Sequence, residues 1–499
     1  MLYESTRGQT ERVNAARAIR EGIAPDGGLY VPETLPRLDA AAMTGFVKAT
    51  YQERAERILL HFLEGFTPGE INHCVTAAYN EEKFDDPEIA PLRALVDGSY
   101  ILELWHGPTY AFKDMALQIM PHLLTLSVKK TGGISETVIL VATSGDTGKA
   151  ALEGFRDVPG TRIIVFYPKE GVSEVQKRQM ITQEGQNTYV VAVEGNFDDA
   201  QAGVKAIFTD PEIRERLKKR GLEFSSANSI NCGRLLPQIV YYFSAYAVLL
   251  RENALQPGEK INFAVPTGNF GNILAGFYAL QMGLPVNKLI VAANANNVLT
   301  EFVRTGVYDR RRPFYKTISP SMDILISSNL ERLLYELTGR DASRIRAWMK
   351  ELQEKGVYSV NTATRARVQD VFWSDWASDE LALTAIKETY SCCGYLLDPH
   401  TAVARVVYER YRSETADATT TVILSTASPF KFGRDVARAL LGEEIANSRD
   451  EFALLDLLAA HTGWTIPPGL RGLDGRPVRH RRVVRREEMR DAVTEILGI

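Results

Sequence analysis

The chain has 499 residues, 45% of them hydrophobic, and a formal net charge of −4. That length supports several domains and a large core. The slightly acidic balance argues against a nucleic-acid or anionic-membrane partner, and no apolar run approaches the roughly 20 residues that cross a bilayer. Met1-Leu2-Tyr3-Glu4 leads into polar sequence, so no secretory signal is expected. Cys74, Cys232, Cys392 and Cys393 make no disulfide framework, and the adjacent pair lacks metal-ligand spacing; all four are expected as buried free thiols. The seven histidines form no His-x-x-x-His pair with a carboxylate, so no metal site is expected.

In chain order, residues 1–97 lack strand alternation and carry helical patterns, as in Tyr51 to Glu64, which predicts a mostly helical N-terminal domain. From residue 98 the signal changes. Apolar strand candidates at Glu136–Val141, Thr161–Phe166, Thr188–Val193, Lys260–Val265, Lys288–Ala293 and Thr420–Ser425 alternate with helical stretches. This predicts an α/β core over 98–445, with parallel sheets covered by helices on both faces. Arg310 to Gln369 and Ser374 to Cys392 read as a mostly helical insertion, and 446–499 as a C-terminal segment packed on the core. The basic run Arg476 to Arg486 tempts a nucleic-acid reading. The alternation around Val478, Val483 and Val484, with Glu487-Glu488 following, favours a solvated edge strand.

Five segments carry chemistry. Glu103-Leu104-Trp105-His106-Gly107-Pro108-Thr109-Tyr110-Ala111-Phe112-Lys113-Asp114 sets a lysine beside an aromatic ring and near a Gly-Pro turn. A desolvated amine there becomes nucleophilic, although most lysines are solvated surface groups. Ala142-Thr143-Ser144-Gly145-Asp146-Thr147-Gly148-Lys149 is a strand-to-helix turn suited to a carboxylate or phosphate. It is not a nucleotide P-loop, because Thr143 stands where the first glycine belongs and Ala150 where a Ser or Thr would hold magnesium. Ser226-Ala227-Asn228-Ser229-Ile230-Asn231-Cys232-Gly233-Arg234 opens a helix with groups suited to a second anion; alone, a polar cap with a surface arginine explains it equally well. Gly268-Asn269-Phe270-Gly271-Asn272 is a glycine-rich turn whose amides can converge on an anion, without dinucleotide spacing. Thr421-Val422-Ile423-Leu424-Ser425-Thr426-Ala427-Ser428-Pro429 delivers hydroxyls at a strand's C-terminal end, where parallel sheets bind ligands.

Taken in this order, the motifs resemble the longer form of the threonine synthases, fold type II pyridoxal-phosphate enzymes built like the tryptophan synthase β chain. The resemblance runs from Tyr3-Glu4-Ser5-Thr6-Arg7-Gly8 and Ala24-Pro25-Asp26-Gly27-Gly28-Leu29-Tyr30-Val31-Pro32 to Asp398-Pro399-His400-Thr401-Ala402-Val403. It implies two open parallel-sheet subdomains covered by helices and conversion of O-phospho-L-homoserine and water to L-threonine and phosphate. Lys113 resembles the Schiff-base lysine and proton carrier, with Phe112 beside it at the cofactor. Gly268, Asn269, Phe270, Gly271 and Asn272 resemble the loop on the cofactor phosphate. Asp146 matches the position facing the cofactor 3′-oxygen, which is asparagine in shorter forms. Thr426 resembles the hydroxyl partner of the pyridine nitrogen. Ser144, Thr147, Asn228, Ser229 and Arg234 resemble the substrate contacts, the last three around its phosphate. A cytoplasmic enzyme, monomer or homodimer, acting on a small molecule is implied. A sister enzyme of β-elimination or β-replacement, a phospho-lyase and an inactive cofactor-binding homologue are the alternatives.

Overall fold

In the computed structural model, residues 1–133, 136–170 and 172–499 are described. Short segments make three small strands near the start: β1 (Leu2–Ser5), β2 (Val13–Asn14) and β3 (Tyr30–Pro32), paired antiparallel with β1 in the middle. They are too short to show alternation in sequence. Helices Ala15–Glu21, Ala40–Val47, Tyr51–Leu60 and Pro68–Ala78 supply most of the rest of this region. The last two each begin with a capping box, Thr50 with Glu53 and Thr67 with Glu70, which satisfies amides that a helix start leaves unpaired.

Two further strands, β4 (Leu92–Ala94) and β5 (Tyr100–Glu103), lead to a run of four: β6 (Glu136–Ala142), β7 (Thr161–Pro168), β8 (Thr188–Glu194) and β9 (Leu222–Ser225). Next come β10 (Ile261–Pro266), β11 (Val286–Ala293), the antiparallel pair β12 (Val307–Asp309) and β13 (Val357–Ser359), then β14 (Phe372–Trp376), β15 (Thr421–Ser425) and β16 (Arg482–Arg485). One sheet has six strands in the order β14-β11-β10-β15-β5-β4 and a second has five in the order β16-β8-β7-β6-β9. All neighbours are parallel except β4 against β5. β10 and β15 are buried at every residue, as expected of central strands covered on both faces.

The period of two along each strand sorts the core. On β10, Phe263 and Val265 join a cluster shared with Ile139, Val141, Ile163 and Val165 of the smaller sheet, while Ala264 faces Val403 and Val407 of the helix Pro399–Thr415. Val138, Leu140, Ile164 and Phe166 form the smaller sheet's other face with Met489 and Val493. Each fully buried Val, Leu or Ile contributes about 1.5–3 kcal/mol relative to exposure.

Several expectations need correction. Residues 372–376 belong to the larger sheet rather than to a helical insertion; Ser374 and Asp375 interrupt the apolar pattern of this edge strand. β5 and β9, four residues each, were too short to register as strands. Cys74 and Cys232 are buried, but Cys392 is exposed and Cys393 half-buried. These two close the helix Asp379–Cys393, whose buried stripe runs through Ala382, Ala385, Ile386 and Thr389.

Candidate active site

Lys113 and Thr426 meet because the chain keeps pairing beyond the ends of β5 and β15. Leu104 N donates to Ser425 O at 3.0 Å, Phe112 N to Thr426 O at 2.8 Å, and Ser428 N to Tyr110 O at 3.0 Å, with Ala111 bridged to Ala427. The intervening loop wraps Asp114, whose carboxylate accepts from Thr109 N and Thr109 Oγ1, both at 2.8 Å. A side chain at Gly107 would meet Asp114 Cβ at 2.5 Å. Burial pushes the Asp114 carboxyl up to about 6. Lys113 is buried, with Nζ 5.0 Å from the Phe112 ring centroid. Thr426 is buried beside it, and its N–H donates to Thr401 Oγ1 at 3.3 Å.

Asp146 opens the helix Asp146–Phe155 from the smaller sheet. The turn before it is organised by Thr143 Oγ1, which accepts from Gly145 N at 3.0 Å and Gly148 N at 2.9 Å. Gly145 has φ +142°, and a Cβ there would stand 2.6 Å from the Gln176 amide carbon, so both conformation and space require glycine. Gln176 Nε2 donates to Asp146 Oδ1 at 2.9 Å. Lys431 Nζ lies 2.6 Å from that same oxygen. Lys113 Nζ donates to Asp146 Oδ2 at 3.4 Å and to Ser321 Oγ at 3.2 Å. Burial alone would raise the Asp146 carboxyl, but Lys431 and Lys113 hold it far below the usual carboxylate range. Burial lowers the Lys113 ammonium; Asp146 opposes this, while Lys431 and Arg234 reinforce it. Ser144 and Thr147 lie half-buried on the same turn.

Gly268–Asn272 joins β10 to the helix Gly271–Gln281. Phe270 takes the left-handed conformation at φ +62° and packs on Phe372 at 5.6 Å between centroids. Gly268 O accepts from Ser327 Oγ at 2.8 Å, and Asn269 O from Asn329 N at 3.1 Å. Gly268 is also forced by a neighbour, since a Cβ would meet Ser321 O at 2.9 Å. The helix start has no side-chain cap, so its first amides remain available to an anion. Asn272 Oδ1 accepts from Tyr241 Oη at 2.6 Å and Tyr242 Oη at 2.9 Å, while its buried Nδ2 has no partner.

Asn228, Ser229 and Arg234 lie just before and inside the long helix Cys232–Arg251, buried from Cys232 to Leu249. Ser229 Cβ stands 3.8 Å from where a Cβ on Gly271 would be, so this segment abuts the glycine loop. Asn228 and Ser229 are half-buried and Arg234 is buried. Arg234 Nη1 donates to Ala227 O at 2.6 Å, and its buried Nε has no partner. Burial lowers the guanidinium to about 10. Arg332 ties the surroundings together, donating to Tyr30 O at 3.1 Å, to Asn329 Oδ1 at 2.5 Å and to Ile230 O at 2.6 Å.

Uncapped helix amides, Asn272 Nδ2 and Arg234 Nε are donors without acceptors beside a buried lysine. That set fits a phosphate-bearing aldehyde cofactor together with a second anion. Sequence reasoning missed Lys431, Gln176, Ser321 and His400 as members of the site. Lys431 had a legible signal: Ser428-Pro429-Phe430-Lys431-Phe432 repeats the aromatic-lysine pairing of Phe112-Lys113. His400 Nε2 accepts from Ser321 N at 3.1 Å, and its Nδ1 lies 2.8 Å from Asp398 Oδ1. This network assigns the ring proton to Nδ1 and steadies the segment that carries Ser321.

The model for the threonine synthase N terminus matches residues 2–79, that for pyridoxal-phosphate dependent enzymes residues 91–369, and that for the threonine synthase C-terminal region residues 401–495. The chain is 42% identical over 440 residues to the human "Threonine synthase-like 1", covering 86% of this chain but only 58% of that protein. It is 42% identical over 448 residues to the threonine synthase of Pseudomonas aeruginosa, covering 89% of this chain and 91% of that one. The crystal structure of pyridoxal-phosphate-bound threonine synthase from Brucella melitensis superposes with a TM-score of 0.87 at 35% identity, covering 99% of both chains.

Proposed function

Because the chain belongs to the threonine synthase family of pyridoxal-phosphate-dependent enzymes, we propose that it converts O-phospho-L-homoserine and water to L-threonine and phosphate. The observation that carries this reading is that two segments with unpartnered donors abut near a buried lysine: the uncapped helix start after Gly268 with Asn272 Nδ2, and Asn228 to Arg234 with Arg234 Nε. Gly268 to Asn272 would hold the cofactor phosphate with main-chain amides at the uncapped helix start. Asn228, Ser229 and Arg234 hold the phosphate of the substrate, where a guanidinium fork matches phosphate geometry. Ser144 and Thr147 bind its carboxylate or phosphate.

Pyridoxal phosphate, when bound, supplies an electron sink for charge developing on the amino acid's carbons. Lys113 Nζ moves the proton at the α-carbon and serves the β- and γ-carbons as phosphate leaves. Phe112 flanks the lysine; with the cofactor bound, Asp146 would face its 3′-oxygen and Thr426 would offer a neutral hydroxyl to its ring nitrogen. The burial of Lys113, Asp146, Arg234 and Thr426 restricts water to the molecule that is added. The same reading makes this a cytoplasmic enzyme, monomer or homodimer, without a nucleic-acid or membrane partner. Among the described residues no helix is long and apolar enough to cross a membrane.

The test is to supply purified protein with O-phospho-L-homoserine and measure threonine, free phosphate and α-ketobutyrate together. Threonine and phosphate in equal amounts are expected. Phosphate with α-ketobutyrate in place of threonine would overturn the reading in favour of a phospho-lyase, and absence of turnover would overturn it outright.

A further inference from the structure

Two buried lysines share one carboxylate, and the one outside every sequence motif holds it more tightly. Lys431 is fully buried, whereas Lys113 retains 8% exposure. Lys431 Nζ stands 2.6 Å from Asp146 Oδ1 and donates to Thr109 O at 2.8 Å. Lys113 Nζ reaches the other oxygen, Oδ2, at 3.4 Å. Ser321 Oγ donates to that same Oδ2 at 3.3 Å, and Gln176 occupies Oδ1 from its own helix.

A lysine paired alone with a buried aspartate stays an ammonium, because the nearby anion favours its charged form. Such a group can neither attack a carbonyl nor take a proton. A second ammonium on the opposite oxygen changes the balance, since one anion does not neutralise two cations in a poorly solvated space. The cation with the longer contact gives up its proton first. The surrounding groups act in the same sense: Arg234 adds a positive charge from its helix and repels Lys113. Asp114, the other buried carboxylate nearby, is engaged by Thr109 and acts on Lys431. His400 accepts from Ser321 N and is paired with Asp398, and Asp323, which His400 influences, accepts from Thr317 and Asn294.

We propose that Lys431 is the standing counter-ion of Asp146 and thereby leaves Lys113 as a free amine. Lys431 is a positioning residue: it acts on Lys113 through the shared carboxylate. The inference rests on Lys113 being the reactive amine of the proposed reaction. The downward shift of the Lys113 ammonium, caused first by burial and reinforced by Lys431, has the direction this arrangement requires.

The test uses full-length protein freed of cofactor and follows the rate of pyridoxal phosphate capture against pH. Capture requires the unprotonated amine, so the midpoint of the profile reports the proton on the reacting lysine. Borohydride reduction followed by peptide mapping identifies that lysine. K431M should raise the midpoint by about one to three pH units, the range for an opposite charge at close contact that is no longer shared. K431Q keeps a donor for Thr109 O without the charge and should behave alike, which covers failure of K431M to fold. K431R should retain the original midpoint, and D146N/K431M should bring it back down. An unchanged midpoint in K431M or K431Q, with the label on Lys113, overturns the role given to Lys431. A label on another lysine instead overturns the assignment of Lys113 and leaves the reaction to be reassigned.

Discussion

Lys113 and Thr426, which follow strands of the six-stranded sheet, are joined by main-chain pairing, whereas Ser144 to Thr147 and Asn228 to Arg234, which follow strands of the five-stranded sheet, reach the site at helix starts. Lys113 and Thr426 are locked together by the bonds from Leu104 to Ser428, and the glycine loop follows directly from β10. Ser144 to Thr147 and Asn228 to Arg234 depend on side-chain organisers such as Thr143, Gln176 and Arg332. In the proposed reaction the first group serves mainly the cofactor and the second mainly the substrate. Asp146 is where they meet: it belongs to the smaller sheet, but the two lysines that contact it, Lys113 and Lys431, follow strands of the larger one. Damage on the larger-sheet side should therefore stop the chemistry, while damage on the other side should leave a loaded enzyme that handles substrate poorly.

The sharpest break is Lys113→Ala, which should abolish turnover while the Gly268–Asn272 loop still retains free pyridoxal phosphate. Equilibrium dialysis beside the assay checks both halves, and residual turnover near the original rate would remove Lys113 from its role. Next is Arg234→Ala. Loss of one charge-assisted contact to a buried phosphate costs about 2–5 kcal/mol, or roughly two to four decades in kcat/KM. Cofactor content should not change, and Arg234→Lys should recover part of the loss; if Arg234→Ala sheds cofactor instead, the division between the two sheets is wrong.

A smaller effect tests how the Asp146 turn is held. Gly145→Ala places a Cβ against Gln176 at a backbone angle reserved for glycine, which should cost about 2–4 kcal/mol in urea unfolding. A stability equal to the parent would show that Gln176 gives way freely. The smallest effect is a pH dependence on the larger-sheet side. Burial disfavours charged His106, but Asp85 at 2.6 Å and Glu103 at 2.9 Å prevail and raise it to about 9. Its folded value lies above the unfolded one, so its stabilisation is complete below about pH 6.5 and lost as pH rises through about 9. With Asp85 partly exposed, the contribution should be about 1–2 kcal/mol. His106→Gln should flatten that limb of the stability curve; an unchanged limb would assign it to another group.

The alternating apolar runs at β6, β7, β8, β10, β11 and β15 made the parallel sheets legible, because a strand buried on both faces carries its signal in every residue. β14 was not legible, since its place comes from pairing with β11 rather than from its own composition. Lys113 and the glycine loop could be read from local chemistry. Lys431 could not be assigned to the site in the same way, although its aromatic neighbours announced burial, because its partner lies 285 positions away at Asp146. Likewise Ser321 and His400 gain meaning only once the chain returns beside Lys113. Periodicity and turn chemistry are local, and a shared counter-ion is not.

One further consequence lies in β16. It joins the five-stranded sheet beside β8, at Arg482 against Val191, after every strand of the six-stranded sheet has been laid down in the chain. On a ribosome, β8 would emerge long before the strand that covers it, leaving a row of unpaired amides and carbonyls that can template wrong partners. Synthesis interrupted before residue 482 should thus yield a species prone to self-association. Supplying the missing hairpin-free strand and its following helix as a separate peptide offers a way to rescue it in trans.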